Sequence, residues 1–392
     1  MLTSFEKGII ALVKSGLTNE QAALPQDFDI ECIYPVAAMH QVRALMFCGA
    51  VASGIDSGCP VMKRLFDGLY SELLSSERQR EQYTKLTALF EENAIDYMPL
   101  KGVLLKELYP QPEMRCMGDI DILVKPSQYE KIEKILIDLG CEHRVDSDHE
   151  YIWRTQDGVS LELHKRLIPS YNKDYYAYFG DGWEIAKKAD ENGFLYKMTP
   201  EDEFVYLFTH FSKHYRDGGI GIKHLTDLKV YVDKVNPDVE LIAEEMKKLG
   251  LYEFFQNVLR TIAVWFDGAE GDAKTDLVTK TVIESGVYGL SRNKAASSVL
   301  REAANGVQDR SAARLFRMLF LPYKAMCEKY PYLKKYPVLL PIAYVVRIVD
   351  AVFNKPKRVS ANIKYIKATT SQRVDEYERS LKEVGLEYNF KE

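Results

Sequence analysis

Two aspartates one residue apart, in Gly118-Asp119-Ile120-Asp121-Ile122-Leu123-Val124, are the most suggestive chemical feature of this 392-residue chain. The segment alternates as a strand does, so Asp119 and Asp121 share one face with Cα atoms roughly 6.5–7 Å apart, while Ile120 and Ile122 point into a core on the other. Carboxylates that close repel unless a cation bridges them. A hard divalent ion such as Mg²⁺, which takes oxygen ligands and sits between carboxylates and substrate phosphates, is the usual answer; the plainer alternative is a solvated strand end. Upstream, Leu100-Lys101-Gly102 stands where a strand gives way to a helix, a place where backbone N–H groups receive phosphate. Downstream, Val159 to Leu167 begins as another strand, with Ser160, Glu162 and His164 on one face. Laid beside the Asp119 strand, it brings Glu162 in as a third carboxylate. Three carboxylates can hold two Mg²⁺ ions about 3.5–4 Å apart, one on an attacking oxygen and one on a triphosphate, the arrangement of in-line phosphoryl or nucleotidyl transfer.

Other residues are candidates around this centre. Arg115 lies four residues before Asp119, within reach of a phosphate beside the metals; the alternative is a surface arginine paired with Glu113 or Asp119. His164 either meets the acceptor, by stacking on a base or bonding a phosphate, or is a half-exposed structural histidine. His210 and His214 are an i, i+4 pair on one helix face, and with His224 and Asp227 of the next helix they make a zinc site conceivable. The pair lacks the glutamate of H-E-x-x-H, so the expectation is instead that His210, His214 and Asp227 face an acceptor or lock the two helices by hydrogen bonds. Residues 354–373 hold Lys355, Lys357, Arg358, Lys364, Lys367 and Arg373 without an acid, either a docking strip for an anionic surface or a solvated run.

The elements that must position these groups are legible from periodicity. Residues 1–94 carry apolar residues at three- and four-residue steps (Leu69, Leu73, Leu74; Leu86, Leu89, Phe90) and predict a helical region. Residues 95–165 predict strand, helix, strand, helix, then two or three strands joined by tight turns such as Gln156-Asp157-Gly158. Within them Ser127 is expected to cap the second helix with Glu130 as capping-box partner, and Gly140 to end it. From residue 199 the pattern is helical again, opened by Thr199 as cap and Pro200 at the first position. The predicted fold class is therefore α+β: a small mixed-sheet core at 95–198, an N-terminal helical region at 1–94 and a larger C-terminal helical domain at 199–392.

Composition sets the bounds. Lys+Arg number 52 against 57 Asp+Glu, a net charge of -5 with a pI near 5.9; domains that grip nucleic-acid backbones are strongly basic, so nucleic acid is not an expected partner. The six cysteines are scattered without a C-x-x-C, which points to the cytoplasm rather than to a disulfide framework. The apolar run Tyr336 to Val346 is too short to span a bilayer.

The order Leu-Lys-Gly, a short helix, Arg115-x-x-x-Asp-Ile-Asp-Ile-Leu-Val, a helix, and later Leu161-Glu162-Leu163-His164 resembles the nucleotidyltransferase fold of the DNA polymerase β superfamily. More narrowly, it is similar to a bacterial group of uncharacterised nucleotidyltransferases, over residues 95–165 and more weakly beyond. The resemblance implies Asp119, Asp121 and Glu162 as catalytic metal ligands, and Mg²⁺-dependent transfer of a nucleoside monophosphate from an NTP such as ATP to a hydroxyl of a small molecule or protein. Lys101, the Gly102 backbone and Arg115 would then bind the leaving pyrophosphate. One departure stands out: superfamily members usually carry Gly-Ser or Gly-Gly at the phosphate turn, where this chain has Lys101-Gly102-Val103. Two other readings stay open: a metal-dependent glycosyltransferase using a nucleotide sugar, since D-x-D also serves there, and a catalytically silent binding protein that keeps the fold.

Overall fold

The computed structural model describes residues 1–170, 172–304, 320–354 and 371–387. Four helices come first: α1 (Ser4–Thr18), α2 (Ile33–Met39), α3 (Arg43–Ala52) and the 33-residue α4 (Pro60–Glu92). The sheet region then runs β1 (Tyr97–Pro99), the one-turn α5 (Gly102–Leu105), β2 (Asp119–Val124), α6 (Tyr129–Asp138), β3 (Glu142–Asp146), β4 (Glu150–Arg154) and β5 (Ser160–His164). After α7 (Lys173–Phe179) and a two-stranded ribbon of β6 (Lys187–Lys188) and β7 (Tyr196–Lys197), the chain is helical: α8 (Pro200–Asp217), α9 (Ile222–Val235), α10 (Val239–Lys248), α11 (Tyr252–Ile262), α12 (Ala273–Ser285) and α13 (Ser291–Ala304), with further helices at Tyr323–Lys329, Leu340–Asn354 and Ser371–Glu383. The fold is α+β.

The five strands form a mixed sheet in the order β1-β2-β5-β4-β3, with β2 and β5 parallel and the other neighbours antiparallel. Strand β2 divides its side chains between two cores, as alternation requires. Ile120, Ile122 and Val124 are fully buried with Leu161 and Leu163 of β5, Trp153 of β4, Ile132 and Leu136 of α6, and Leu86 and Phe90 of α4. Burying each isoleucine contributes about 1.5–3 kcal/mol. Leu123, one step out of phase, joins the other core, which is built from α1, α3, α8, α9, α11 and α12 and also takes in Leu381 and Leu386. Asp119 and Asp121 therefore face the C-terminal helices.

Local signals explain the element ends. The Thr199 hydroxyl accepts from the Asp202 N–H (3.1 Å) and Pro200 opens α8, so three acids occupy the positive end of the helix dipole. Helix α8 stops at Gly218, whose φ of 153° suits glycine. The expected Ser127 cap is a correction. Pro126 starts a 3₁₀ turn over Pro126–Gln128, and α6 begins at Tyr129 with no side-chain cap; the proline's fixed φ nucleates the tight turn first. Gly140 does follow α6, at φ 71°. All six cysteines are free thiols. Among the described residues no helix is long and apolar enough to cross a membrane. Of the basic stretch, Lys355, Lys357, Arg358, Lys364 and Lys367 lie outside the described residues.

Candidate active site

The parallel pairing of β2 with β5 sets Asp119 opposite Ser160, Asp121 opposite Glu162 and Leu123 opposite His164. In the antiparallel β4–β5 pair, Ile152 stands opposite Glu162 and Glu150 opposite His164. One sheet face thus carries Asp119, Asp121, Glu162, His164 and Glu150, and the first three line a cleft of about 330 Å³ between the sheet and helices α8 and α9. The cleft has an acidic floor and a nitrogen-rich wall: Lys101 and Arg115 from the segment flanking α5, His210 and His214 from α8, Lys223 and His224 from α9.

Asp121 is the best-held carboxylate. Its Oδ1 lies 2.7 Å from His164 Nε2 and accepts from Lys101 Nζ at 3.2 Å. Burial works to raise its pKa, but Lys101 and His164 outweigh this and hold the carboxyl well below the usual range. The Lys101 ammonium is correspondingly stabilised: burial opposes its charge and Asp121 more than restores it. Lys101 reaches there from a backbone at φ 46°, ψ -108°. A non-glycine residue in this left-handed region costs on the order of 1–3 kcal/mol and persists only where the surroundings enforce it.

Glu162 behaves oppositely. Burial, then the charges of Asp119 and Asp121, push its carboxyl up to about 8. Asp121, Glu162 and His164 each offer a ligand atom within 4.8 Å of the others. A cluster in which one carboxylate keeps its proton, because burial and then its acidic neighbours outweigh the cations present, has donors and charge suited to a hard divalent cation.

The other sequence-predicted residues fall as follows. Gly102 is buried at the α5 start, where a Cβ would lie 2.6 Å from Arg115 Nη1 and 2.7 Å from Met117 Sδ; glycine is needed there for close approach. Arg115 is buried, not a surface arginine, and pairs with neither Glu113 nor Asp119: its Nε and Nη2 donate to Asp227 Oδ1 and Oδ2, each at 3.0 Å. Tyr109 Oη also donates to Asp227 Oδ1 (2.8 Å), so the Asp227 carboxylate locks α9 to the chain before β2. His164 is 1 % exposed. It sits beneath Asp121 rather than on the cleft wall, so its ring is not presented to an acceptor; a buried carboxylate claims it. His210 and His214 do line the cleft, with their Nε2 atoms 3.1 Å apart. Burial drives both rings toward the neutral form, His214 to about 3. Neither they nor His224 and Asp227 belong to the three-donor groups found among the described residues, and the Asp227 oxygens are already committed to Arg115 and Tyr109.

Sequence reasoning missed Lys223, whose Nζ donates to Gln41 Oε1 (2.7 Å) at the cleft wall. Its i, i+4 spacing to Asp227 was the available signal. It also missed Tyr109 and His149, which nothing local marks.

A family model described as an uncharacterised nucleotidyltransferase matches residues 26–267. No curated protein and no solved structure matches the chain. The matched span is more than half of the chain and contains every carboxylate, cation and imidazole described in this cleft. By that match, carried by the segment that builds the cleft, the chain belongs to a family of uncharacterised nucleotidyltransferases.

Proposed function

We propose that this cleft binds a nucleoside triphosphate with Mg²⁺ and transfers the nucleoside monophosphate to a hydroxyl of a small-molecule or protein acceptor, on a sheet of the DNA polymerase β type. The observation that carries the reading is the register that sets Asp121 opposite Glu162, with Asp119 on the same face, in a cleft that Lys101, Arg115 and Lys223 also line. Asp119, Asp121 and Glu162 would hold the ions, as an all-oxygen set suits them. Bound there, Mg²⁺ supplies charge for the phosphoryl oxygens and lowers the pKa of the acceptor hydroxyl. The acceptor oxygen attacks the α-phosphorus, the bond from that phosphorus to the bridging oxygen breaks, and pyrophosphate leaves with the electron pair. Glu162, ionised once a cation offsets Asp119 and Asp121, receives the hydroxyl proton. Lys101 Nζ, which pairs with Asp121, would serve the departing phosphates as a point charge in place of the hydroxyl that Gly-Ser would bring.

Turnover of labelled ATP, GTP, CTP and UTP tests this. The Asp119→Asn and Asp121→Ala proteins should lose metal-dependent NTP binding or transfer by roughly a thousandfold, the several kcal/mol a metal site supplies. Folded variants that bind and turn over NTP like the parent would sink the assignment. The half-buried Asp119 makes the first substitution the safer one for folding.

A further inference from the structure

The face that carries the cleft continues past it, to a group of side chains that nucleotidyl transfer does not use. We propose that His149, Glu150 and His164 form a binding site for a borderline transition-metal ion such as Zn²⁺, distinct from the carboxylate floor, with Asp121 orienting His164 from the far side of its ring. One donor atom from each of the three residues lies within 4.8 Å of the other two. Glu150 and His164 are direct cross-strand partners in the β4–β5 pair, and their side chains share a face. His149, immediately before β4, is pinned through its backbone: its carbonyl accepts from the Lys165 N–H (2.8 Å) and its N–H donates to Ser147 Oγ (3.2 Å). Ser147 Oγ also accepts from the Glu150 N–H at 3.1 Å. The donors thus stand on a strand end and a hydrogen-bonded turn, the rigid support that a metal site requires.

The independent sign is a pair of orphaned imidazole nitrogens. His164 is 1 % exposed, its Nε2 is engaged with Asp121 at 2.7 Å, and its Nδ1 is buried with no hydrogen-bond partner among the described residues. His149 Nδ1 is buried and unpartnered in the same sense, and the two rings stand 4.8 Å apart at 76°. A buried polar atom without a partner costs about 1–3 kcal/mol. The Asp121 carboxylate fixes the N–H on His164 Nε2 and leaves a lone pair on Nδ1, which is how metal-bound imidazoles are oriented. Two nitrogens and one carboxylate oxygen suit Zn²⁺, Cu²⁺ or Ni²⁺ and not Mg²⁺. Three protein ligands leave a fourth position for water. Lys101 and Lys213 face His149 and oppose a cation; Asp121 acts the other way, and the carboxylate of Glu150 is itself one of the three donors.

This site does not rest on nucleotidyl transfer, and its test needs no turnover. The chelator-stripped full chain is titrated with Zn²⁺ against a chromophoric chelator, and with Co²⁺ by visible absorption. One Zn²⁺ per chain is expected, undisplaced by excess Mg²⁺. His149→Ala and Glu150→Gln, both at partly exposed side chains, should weaken it at least tenfold and abolish the Co²⁺ bands, while Glu162→Gln keeps both. Absence of stoichiometric Zn²⁺, binding untouched by His149→Ala, or binding lost instead in Glu162→Gln would each overturn the proposal. The last outcome would put the ion on the Asp121, Glu162 and His164 group. Retained thermal melting of Glu150→Gln guards against loss by unfolding.

Discussion

At one end of the cleft Arg115 gives Nε and Nη2 to the two oxygens of Asp227, and Tyr109 adds a third donor, so that buried charge is closed on itself. At the other end a single lysine, Lys101, stands against Asp121, Asp119 and Glu162, and burial together with the two aspartates outweighs it, so that Glu162 holds its proton up to about 8. Both are ion clusters between the same sheet and the same helices, yet they do different things. A matched, bidentate pair is a fastener: its donors and acceptors are used up, and it fixes α9 against the segment that leads into β2. An acid-rich cluster with one lysine has charge to spare, which costs stability in the bare protein and gives affinity for a cation. Such destabilised sites are where function concentrates.

The largest effect is expected at Arg115. Arg115→Met leaves Asp227 buried and charged with Tyr109 as its remaining hydrogen-bond donor, and removing one partner of a buried pair costs about 3–5 kcal/mol. Urea denaturation should register that loss. The double variant Arg115→Met/Asp227→Leu should recover most of it, since an apolar pair carries no orphaned charge. A loss below about 1 kcal/mol in the single variant would mean the pair is not the fastener described here.

How much of this was legible in the sequence follows the range of the forces involved. The alternation of Asp119-Ile120-Asp121-Ile122 is a local property of a strand, and it put both aspartates on one face before any tertiary structure was known. Thr199 and Pro200 marked the α8 start for the same reason, because a cap and its helix are neighbours in sequence. Glu162 became legible only on the supposition that its strand lies beside β2, which the parallel register bears out. The Arg115–Asp227 pair could not be read, as 112 residues separate its members and either could have found a nearer partner. His164 fell between: its face was right, but its burial depends on Asp121 of β2 and on His149, whose ring stands 4.8 Å away in the turn before β4. Ser127 failed because a proline one residue earlier imposed a 3₁₀ turn that competes with capping.

A smaller effect is expected where the two ends meet. Gly102→Ala would set a Cβ 2.6 Å from Arg115 Nη1 and 2.7 Å from Met117 Sδ. The methionine can swing aside, whereas Arg115 cannot without loosening Asp227. Overpacking of this kind costs about 1–3 kcal/mol. If the fastener is the element under pressure, the cost should shrink in the Arg115→Met background, and a double-mutant cycle measures the coupling. Strict additivity would show that Gly102 is spaced for some other neighbour.

The subtlest test reverses the sign at the acidic end. Glu162 has its carboxyl raised from 4.5 to about 8, chiefly by burial and then by Asp119 and Asp121. Between those values the folded chain binds more protons at this site than the unfolded chain does, so stability falls as pH rises through the window. Glutamine mimics the protonated side chain and does not titrate. In the absence of divalent ions, Glu162→Gln should therefore match the parent near pH 4 and exceed it by about 1–2 kcal/mol at pH 8, a figure reduced for partial solvent access. Mg²⁺ should narrow that gap by stabilising the parent alone, because only the parent keeps the third carboxylate. Denaturation midpoints at the two pH values, with and without Mg²⁺, decide it. A variant less stable than its parent at pH 8 without metal would make Glu162 a second fastener, and the contrast between the two ends of the cleft would disappear.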